Sequence, residues 1–346
     1  MTSSRIRSTP EGHRTLSCPR RCAIRVGNLG EFSLIQRIVG RLPQSGTVLL
    51  GPGDDGAVVA VPDARVVVTT DLLLEGRHFR RDWSSGYEVG RKAAAQNLSD
   101  VAAMGARPTA LFLGLGLPAD TDVAWVEDLA DGMRDECHIV GASVAGGDIA
   151  QCDLVVLGVT ALGDLGGRAA ITRAGARPGD VVAVTGRLGW AAAGLALLEA
   201  GHRESSEPDL ARAMDEVIGA HRRPAPPYSC GPEAAALGAT AMLDVSDGLI
   251  QDIGHIAAAS GVGVEIDPAA FEVPGPVGVA GRFLGVDPLD WMLTGGDDHA
   301  LAAVFPVGIG LPAHWTVIGE VIEGAGVQVD GRVYDRSGWN HFQGKL

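Results

Sequence analysis

Short runs of Val and Leu that lead into or out of aspartates flanked by Gly, Ser or Thr recur along this chain. That recurrence restricts the fold more than any other feature. GPGDDGAVV at 51–59 sets Asp54 and Asp55 among glycines, just ahead of an apolar segment. RVVVTTD delivers Asp71 at the end of a β-branched run, which predicts a buried strand. VAGGDIAQCDLVVLGVTALG places Asp148 in a Gly-Gly-Asp loop before another strand. AMLDVSDGLIQDIG brings Asp244 and Asp247 to a strand-to-helix junction, and LTGGDDHALAAVF repeats the theme with Asp297 and Asp298. Between these runs lie helical patterns. EFSLIQRIVGRL spaces Phe32, Ile35, Ile38 and Leu42 for one apolar face, and DVAWVEDLADGMRDECHI does the same with Val123, Val126, Met133 and Cys137. The Ala-rich EVGRKAAAQNLSDVAAMGARP carries Asn97 and Asp100 on one helix face, with Gly105 and Pro108 as stop signals. Strands alternating with helices predict an α/β-type architecture. No period of 20–50 residues recurs, which excludes a solenoid.

A chain of 346 residues has room for about two domains of the usual size. The sequence loosens between Gly163 and Gly167, so the expected division is a domain at 30–163 and a second at 164–346. Residues 1–29 carry six arginines, Arg5 to Arg25, without the apolar segment of a secretory signal; a disordered leader is expected. No apolar run approaches the ~18–20 residues that cross a bilayer, so no membrane partner is expected. Five scattered cysteines do not make a disulfide framework, which fits the cytoplasm. Cys18 and Cys22 form a C-x3-C that lacks the second half of a zinc site. The net charge of −14 argues against nucleic acid as a partner. Lysine occurs only at Lys92 and Lys345, and no G-x-x-x-x-G-K-[ST] is present, so phosphates cannot be held by a P-loop. G-x-S-x-G and H-E-x-x-H are absent as well.

Ligands of α/β proteins bind beyond strand ends, where these aspartates are expected. Several carboxylates gathered in one place oppose each other's ionisation unless cations join them. Hard oxygen ligands select Mg²⁺ or Ca²⁺, and Mg²⁺ commonly bridges carboxylates to substrate phosphates. Each residue alone has a plainer reading. GPGDDG can be a tight turn, Ser246 or Asp247 can cap the helix that begins near Leu249, and Asp100 can be a solvated helix position.

GDDGAVV, TTDLLLEGRHF, NLSDVAAMGARP, AGGDIA, ITRAGARPGD, LDVSDGLIQDIGHIAAASGVG and LTGGDDHAL resemble, in order and spacing, the thiamine-monophosphate kinases. The resemblance runs from Gly30 to GWNHF near the C-terminus. It implies the aminoimidazole ribonucleotide synthetase-like superfamily. Members are ATP-using α+β proteins of two domains, with a PurM-like N-terminal domain of mixed sheet and helices and a PurM-like C-terminal α/β domain. They form homodimers whose N-terminal sheets associate. The implied activity is direct in-line transfer of the γ-phosphoryl of ATP to thiamine phosphate with several Mg²⁺ ions. Carried onto matching positions, Asp55, Thr69, Thr70, Asp71, Asp100, Asp148, Asp244 and Asp247 correspond to metal-site residues. Gly147, Asp148, Arg173 and Ser246 correspond to nucleotide contacts, and His78, Asp297 and Trp339 to acceptor contacts. Asp71, Asp148 and Arg173 are the expected catalytic set. One departure stands out. The family usually reads Ser-Gly-Gly-Glu-Asp-Tyr-Glu, whereas this chain has Thr294, Gly295, Gly296, Asp297, Asp298, His299 and Ala300. Other superfamily activities are alternatives. Selenophosphate synthesis would need a reactive Cys with a nearby Lys ahead of the first Gly-Asp-Asp, and none stands there. A cation-binding module without catalysis would carry D-x-[DN]-x-[DN]-G, which is missing.

Overall fold

The computed structural model describes residues 24–29, 31–52, 56–334 and 338. Asp54, Asp55, Trp339 and the Cys18/Cys22 pair lie outside the described residues. The first half contains α1 (Val26–Leu29), α2 (Glu31–Val39), β1 (Val48–Leu50), β2 (Val58–Val59), β3 (Val67–Leu74), α3 (Gly86–Ala103), β4 (Arg107–Leu117), α4 (Val123–Val140), β5 (Ser143–Gln151) and β6 (Val156–Asp164). Four of these strands form a sheet in the order β3-β6-β4-β5, with β4 and β5 parallel and the other pairs antiparallel. Along β6 burial alternates strictly, so Leu157, Val159 and Ala161 face the helices α3 and α4 while Gly158, Thr160 and Leu162 face away. The β1–β2 hairpin covers part of that second face through Val48, Val59, Phe112 and Leu162.

Two expectations change here. The strand β3 does not stop at Asp71 but continues to Leu74, and it is buried on one side only. Gly146, Gly147 and Asp148 belong to β5 and not to a loop, because parallel pairing with β4 carries through them. Residues 24–29, counted with the leader from sequence, pack on this domain: the backbone of Arg25 forms an antiparallel β-bridge with that of Asp122, and the Val26 N–H donates to the Thr121 carbonyl at 2.9 Å.

Helices α3 and α4 approach through glycines. A Cβ at Gly90 would lie 2.1 Å from the Leu129 carbonyl oxygen, and one at Gly132 would lie 2.0 Å from that of Tyr87. A side chain at either place forces the helices apart. Gly132→Ala is therefore expected to lower stability by about 1–3 kcal/mol, the usual cost of overpacking. The urea midpoint checks this, and an unchanged midpoint would mean that the two helices separate freely. At its start α3 is fixed by a capping box, in which the Glu88 N–H donates to Ser85 Oγ and the Ser85 N–H to the Glu88 carboxylate.

The second half contains β7 (Val181–Thr185), α5 (Trp190–Glu199), α6 (Pro208–Arg222), α7 (Cys230–Leu237), β8 (Ala241–Val245), α8 (Leu249–Ser260), β9 (Gly263–Ile266), α9 (Gly275–Leu284), α10 (Pro288–Thr294), β10 (Ala300–Phe305), β11 (Thr316–Ile322), β12 (Gly326–Val329) and β13 (Arg332–Val333). Its mixed sheet runs β13-β12-β9-β11-β7-β10-β8. The polar stretch at 203–216 is largely the helix α6, whose apolar side carries Leu210, Met214 and Val217 into a cluster with α5 and α9. One sheet face packs on α8 and α10 and the other on α7. The two halves meet tightly, since a Cβ at Gly231 of α7 would lie 2.0 Å from the Ala102 carbonyl of α3. Tyr228 Oη donates to Glu136 Oε1 at 2.5 Å in the same region, and Arg91 pairs with the other oxygen of Glu136.

Candidate active site

Strand alternation sends Thr69 and Asp71 toward α3, two residues apart on one side of β3. Two strand residues span about 6.8 Å, and one helical step of four residues spans about 6 Å. The match lets Asp100 and Gln96, four apart on α3, meet Thr69 and Asp71 in turn. Thr69 Oγ1 donates to Asp100 Oδ2 at 2.7 Å, and Gln96 Nε2 donates to Asp71 Oδ2 at 2.8 Å. Asn97, which the sequence places beside Asp100, turns inward and donates to the Ala93 carbonyl. Burial, then the negative charges of Asp244 and Asp71, push the Asp100 carboxyl up to about 7. Those two neighbours locate the site, since Asp244 belongs to β8 of the second half, which packs against α3.

Beyond Asp244 the chain turns through Ser246, Asp247 and Gly248 into α8. Asp252, in the first turn of that helix and 4% exposed, accepts from the Asp247 and Gly248 N–H groups at 3.0 and 3.1 Å. Burial raises its carboxyl to about 7 despite these bonds. The 295–299 loop lies across this turn. The Asp297 N–H donates to the Ser246 carbonyl at 2.9 Å, and the His299 N–H to that of Val245 at 3.1 Å. A Cβ at Gly296 would lie 2.1 Å from the Ser246 carbonyl oxygen, so only glycine permits the crossing. His299, the departure from the family's tyrosine, pairs through Nδ1 with Asp244 Oδ2 at 2.9 Å. Burial opposes its charge, but Asp244 outweighs burial and raises the imidazole above its ordinary range. Asp298 turns away from the cluster and accepts from the Ala191 N–H at 2.8 Å, at the start of α5; burial lifts its carboxyl to about 6.

The structure therefore brings Thr69, Asp71, Asp100 and Asp244 together, with Ser246 and Asp247 on the adjoining turn. Asp297 lies on the loop that crosses this turn, whereas Thr70, Gly147, Asp148, Arg173 and His78 stand elsewhere in this chain. Thr70 points to the opposite side of β3, where its hydroxyl accepts from Thr160 Oγ1 at 3.1 Å. Asp148 shares that side, because it pairs with Gly114 of β4, and it is exposed. A Cβ at Gly147 would lie 2.1 Å from the Leu113 carbonyl oxygen, so strand packing alone requires that glycine. Arg173 is exposed and makes no ion pair among the described residues; its carbonyl accepts from Ser260 Oγ at the far end of α8. His78 sits in the turn after β3, where Nδ1 accepts from the Leu74 N–H at 3.0 Å. Gln96, Asp252, Lys92 and His299 are functional candidates that motif reading passed over. The signal available for two of them was spacing: Gln96 stands four before Asp100, and Asp252 five after Asp247.

All donors at the cluster are oxygens, and burial followed by the charges of Asp244 and Asp71 raises the Asp100 carboxyl to about 7, an environment that a hard divalent cation would relieve. The set fits Mg²⁺. A separate group brings ligand atoms of Cys230, Glu233 and His314 within 4.8 Å of one another. Glu233 there already pairs with His314 Nε2 at 2.6 Å and accepts from Trp315 Nε1 at 3.0 Å, which satisfies it without an ion.

Residues 53–165 match the family model of the AIR synthase related protein N-terminal domain, and residues 177–332 match that of its C-terminal domain. The thiamine-monophosphate kinase of Mycobacterium tuberculosis (strain ATCC 25618 / H37Rv) is 49% identical over 319 residues, covering 91% of this chain and 92% of that protein. The crystal structure of thiamine-monophosphate kinase from Stenotrophomonas maltophilia K279a has a TM-score of 0.76 at 35% identity, over 87% of this chain and 96% of that one. A solved structure of AaThiL complexed with AMPPCP and TMP also has a TM-score of 0.76, at 34% identity, over 93% of this chain and all of that one. With both halves of the chain matched and identity sustained along nine-tenths of it, the chain belongs to the thiamine-monophosphate kinase family.

Proposed function

We propose that this protein transfers the γ-phosphoryl group of ATP to thiamine phosphate, giving thiamine diphosphate. The 49% identity to a thiamine-monophosphate kinase carries this reading, and a relative that holds AMPPCP together with TMP supports the pair of substrates. In the reading Asp71, Asp100, Asp244 and Thr69 hold Mg²⁺, joined by Asp55 and Asp247. Bound Mg²⁺ supplies neutralisation of phosphate charge. The chain's own groups do the rest. Gln96 and the Thr69 hydroxyl fix the carboxylates they bond, and Asp252 holds the 246–248 turn through its N–H groups. Gly147, Ser246 and Arg173 receive the nucleotide, while His78, Asp297 and Trp339 grip the acceptor. The attacking oxygen belongs to a phosphate that is already ionised, so positioning and charge neutralisation suffice and no strong base is needed.

Thr70 and Asp148 take part from the other side of the N-terminal sheet. That side exposes Val68 at 57% and Leu72 at 59%, an apolar surface suited to a second copy of the sheet, and we assign a homodimer. No helix among the described residues is long and apolar enough to cross a membrane, and the reaction is assigned to the cytoplasm. A coupled assay of ADP release tests the function. ADP is expected to appear with thiamine phosphate, in step with thiamine diphosphate. Turnover with another acceptor and none with thiamine phosphate would overturn it.

A further inference from the structure

Lys92 is one of two lysines in the chain, and it is 2% exposed on α3 among Val89, Ala93, Ala94 and Ala95. An ammonium taken from water is costly unless it is paired, and a leucine or alanine would fill an Ala-rich seam without that cost. The ammonium reaches out of its own domain. Lys92 Nζ donates to Asp297 Oδ2 at 2.8 Å and to the His221 carbonyl at 3.2 Å, so it joins α3 to α6 and to the 295–299 loop. Asp297 has φ +66°, in the left-handed region that favours glycine, and His299 follows at +53°. The side chain of Asp297 is 35% exposed, and its Oδ1 makes no hydrogen bond among the described residues. One oxygen is thus held from within the protein while the other is left to accept from outside. Burial alone would raise the Asp297 carboxyl, yet Lys92 and then His221 and His299 hold it well below the usual carboxylate range.

We propose that Lys92 is a positioning residue for the acceptor: it orients Asp297 across the domain boundary so that Oδ1 accepts a hydrogen bond from the aminopyrimidine of thiamine phosphate. This rests on the kinase reading above and on Asp297 as an acceptor contact. Asp297 is one methylene shorter than the family's glutamate, so its reach depends on the strained backbone and on the buried ammonium behind it. The nucleotide side meets Asp297 only through its backbone, whose N–H donates to the Ser246 carbonyl, and not through the side chain that Lys92 holds. Recognition of the acceptor then requires that both domains be docked.

Steady-state kinetics of Lys92→Met, Asp297→Asn and the double variant test the proposal. Lys92→Met is expected to raise KM for thiamine phosphate roughly 10–100-fold, the worth of a charge-assisted hydrogen bond, and to leave KM for ATP within about twofold, the spread expected away from the changed contact. The double variant is expected to match Asp297→Asn, since the two residues act through one contact. The double variant also replaces the ion pair by two neutral groups, so it carries the test if Lys92→Met alone folds poorly. A lysine that merely supports the fold would lower kcat through loss of active protein and leave both KM values unchanged, which overturns the proposal. A raised KM in Asp297→Asn without one in Lys92→Met overturns it while sparing the Asp297 contact. An unchanged KM in Asp297→Asn removes that contact and the proposal together, and leaves the assay of ADP release to judge the kinase reading.

Discussion

Asp71→Asn lowers turnover by roughly two to four orders of magnitude and leaves the metal-free protein as stable as before, or more so. The first half follows from charge. Asp71 is close enough to Asp100 across the β3–α3 gap for its charge to act on that carboxyl, and the Asp71 carboxylate is fixed by Gln96. Asn keeps the shape and can still accept from Gln96, but it brings no charge to a cation. A bound metal supplies several kcal/mol of charge stabilisation, and each ~1.4 kcal/mol lost is a tenfold loss in rate. The second half has the opposite sign because, with no cation present, these acids oppose one another's ionisation. Without it, the negative charge of Asp71 is one cause that lifts Asp100, so removing that charge relieves the fold. Turnover at saturating Mg²⁺ and a thermal melt in EDTA measure the two effects. Asp148→Asn adds an independent arm, because Asp148 lies on the far side of the sheet. Near-normal turnover in both variants would refute the assignment of a metal cage.

The elements that carry periodicity were legible from sequence. Helix α4 buries Val123, Val126, Met133 and Cys137 on the side that their spacing predicts. The convergence of Asp71, Asp100 and Asp244 followed from family motifs. What failed to show was the face on which each residue stands. Thr69 and Thr70 are equivalent in composition, yet one residue of offset in a strand sends one to α3 and the other to the open face. Asp148 was misplaced for a related reason. Two glycines before an aspartate read as a loop, but here they are needed where β5 runs against the backbone of β4 and the ring of Phe112. Lys92 and Asp297 lie 205 residues apart, and no local pattern joins them. The role of Lys92 appears only when α3 is docked on the second domain, and the same docking gives His299 its partner in Asp244.

Stability of the metal-free protein is expected to fall as pH rises from about 5 to 8, with a loss large enough to lower the melting temperature by roughly ten degrees. The Asp100 and Asp252 carboxyls are raised to about 7 and that of Asp298 to about 6, all for burial first. A carboxyl whose folded pKa lies above its unfolded value near 4 binds more protons in the folded state between those two values. Stability therefore drops with rising pH across roughly pH 4 to 7, and the penalty is complete above it. His299 adds to the trend, because its raised pKa contributes stability at low pH that is lost as pH climbs through it. Asp297 is held low and opposes the trend only below about pH 4, where its partners lose an ionised carboxylate. For Asp252, 4% exposed, the roughly two units lost between pH 5 and its raised pKa of about 7 correspond to about 3 kcal/mol at ~1.4 kcal/mol per unit. One kcal/mol moves the melting temperature by about 2–4 °C in a chain of this order of size, which gives the ten degrees. Asp252→Asn, whose amide oxygen can still accept from the 247 and 248 N–H groups, should flatten the curve. Mg²⁺ at pH 8 should recover the part due to Asp100 in both proteins. Melting temperatures in EDTA that stay level or rise between pH 5 and 8 would show that these carboxyls are not held protonated by the fold. The crowding inferred for the site would then be absent.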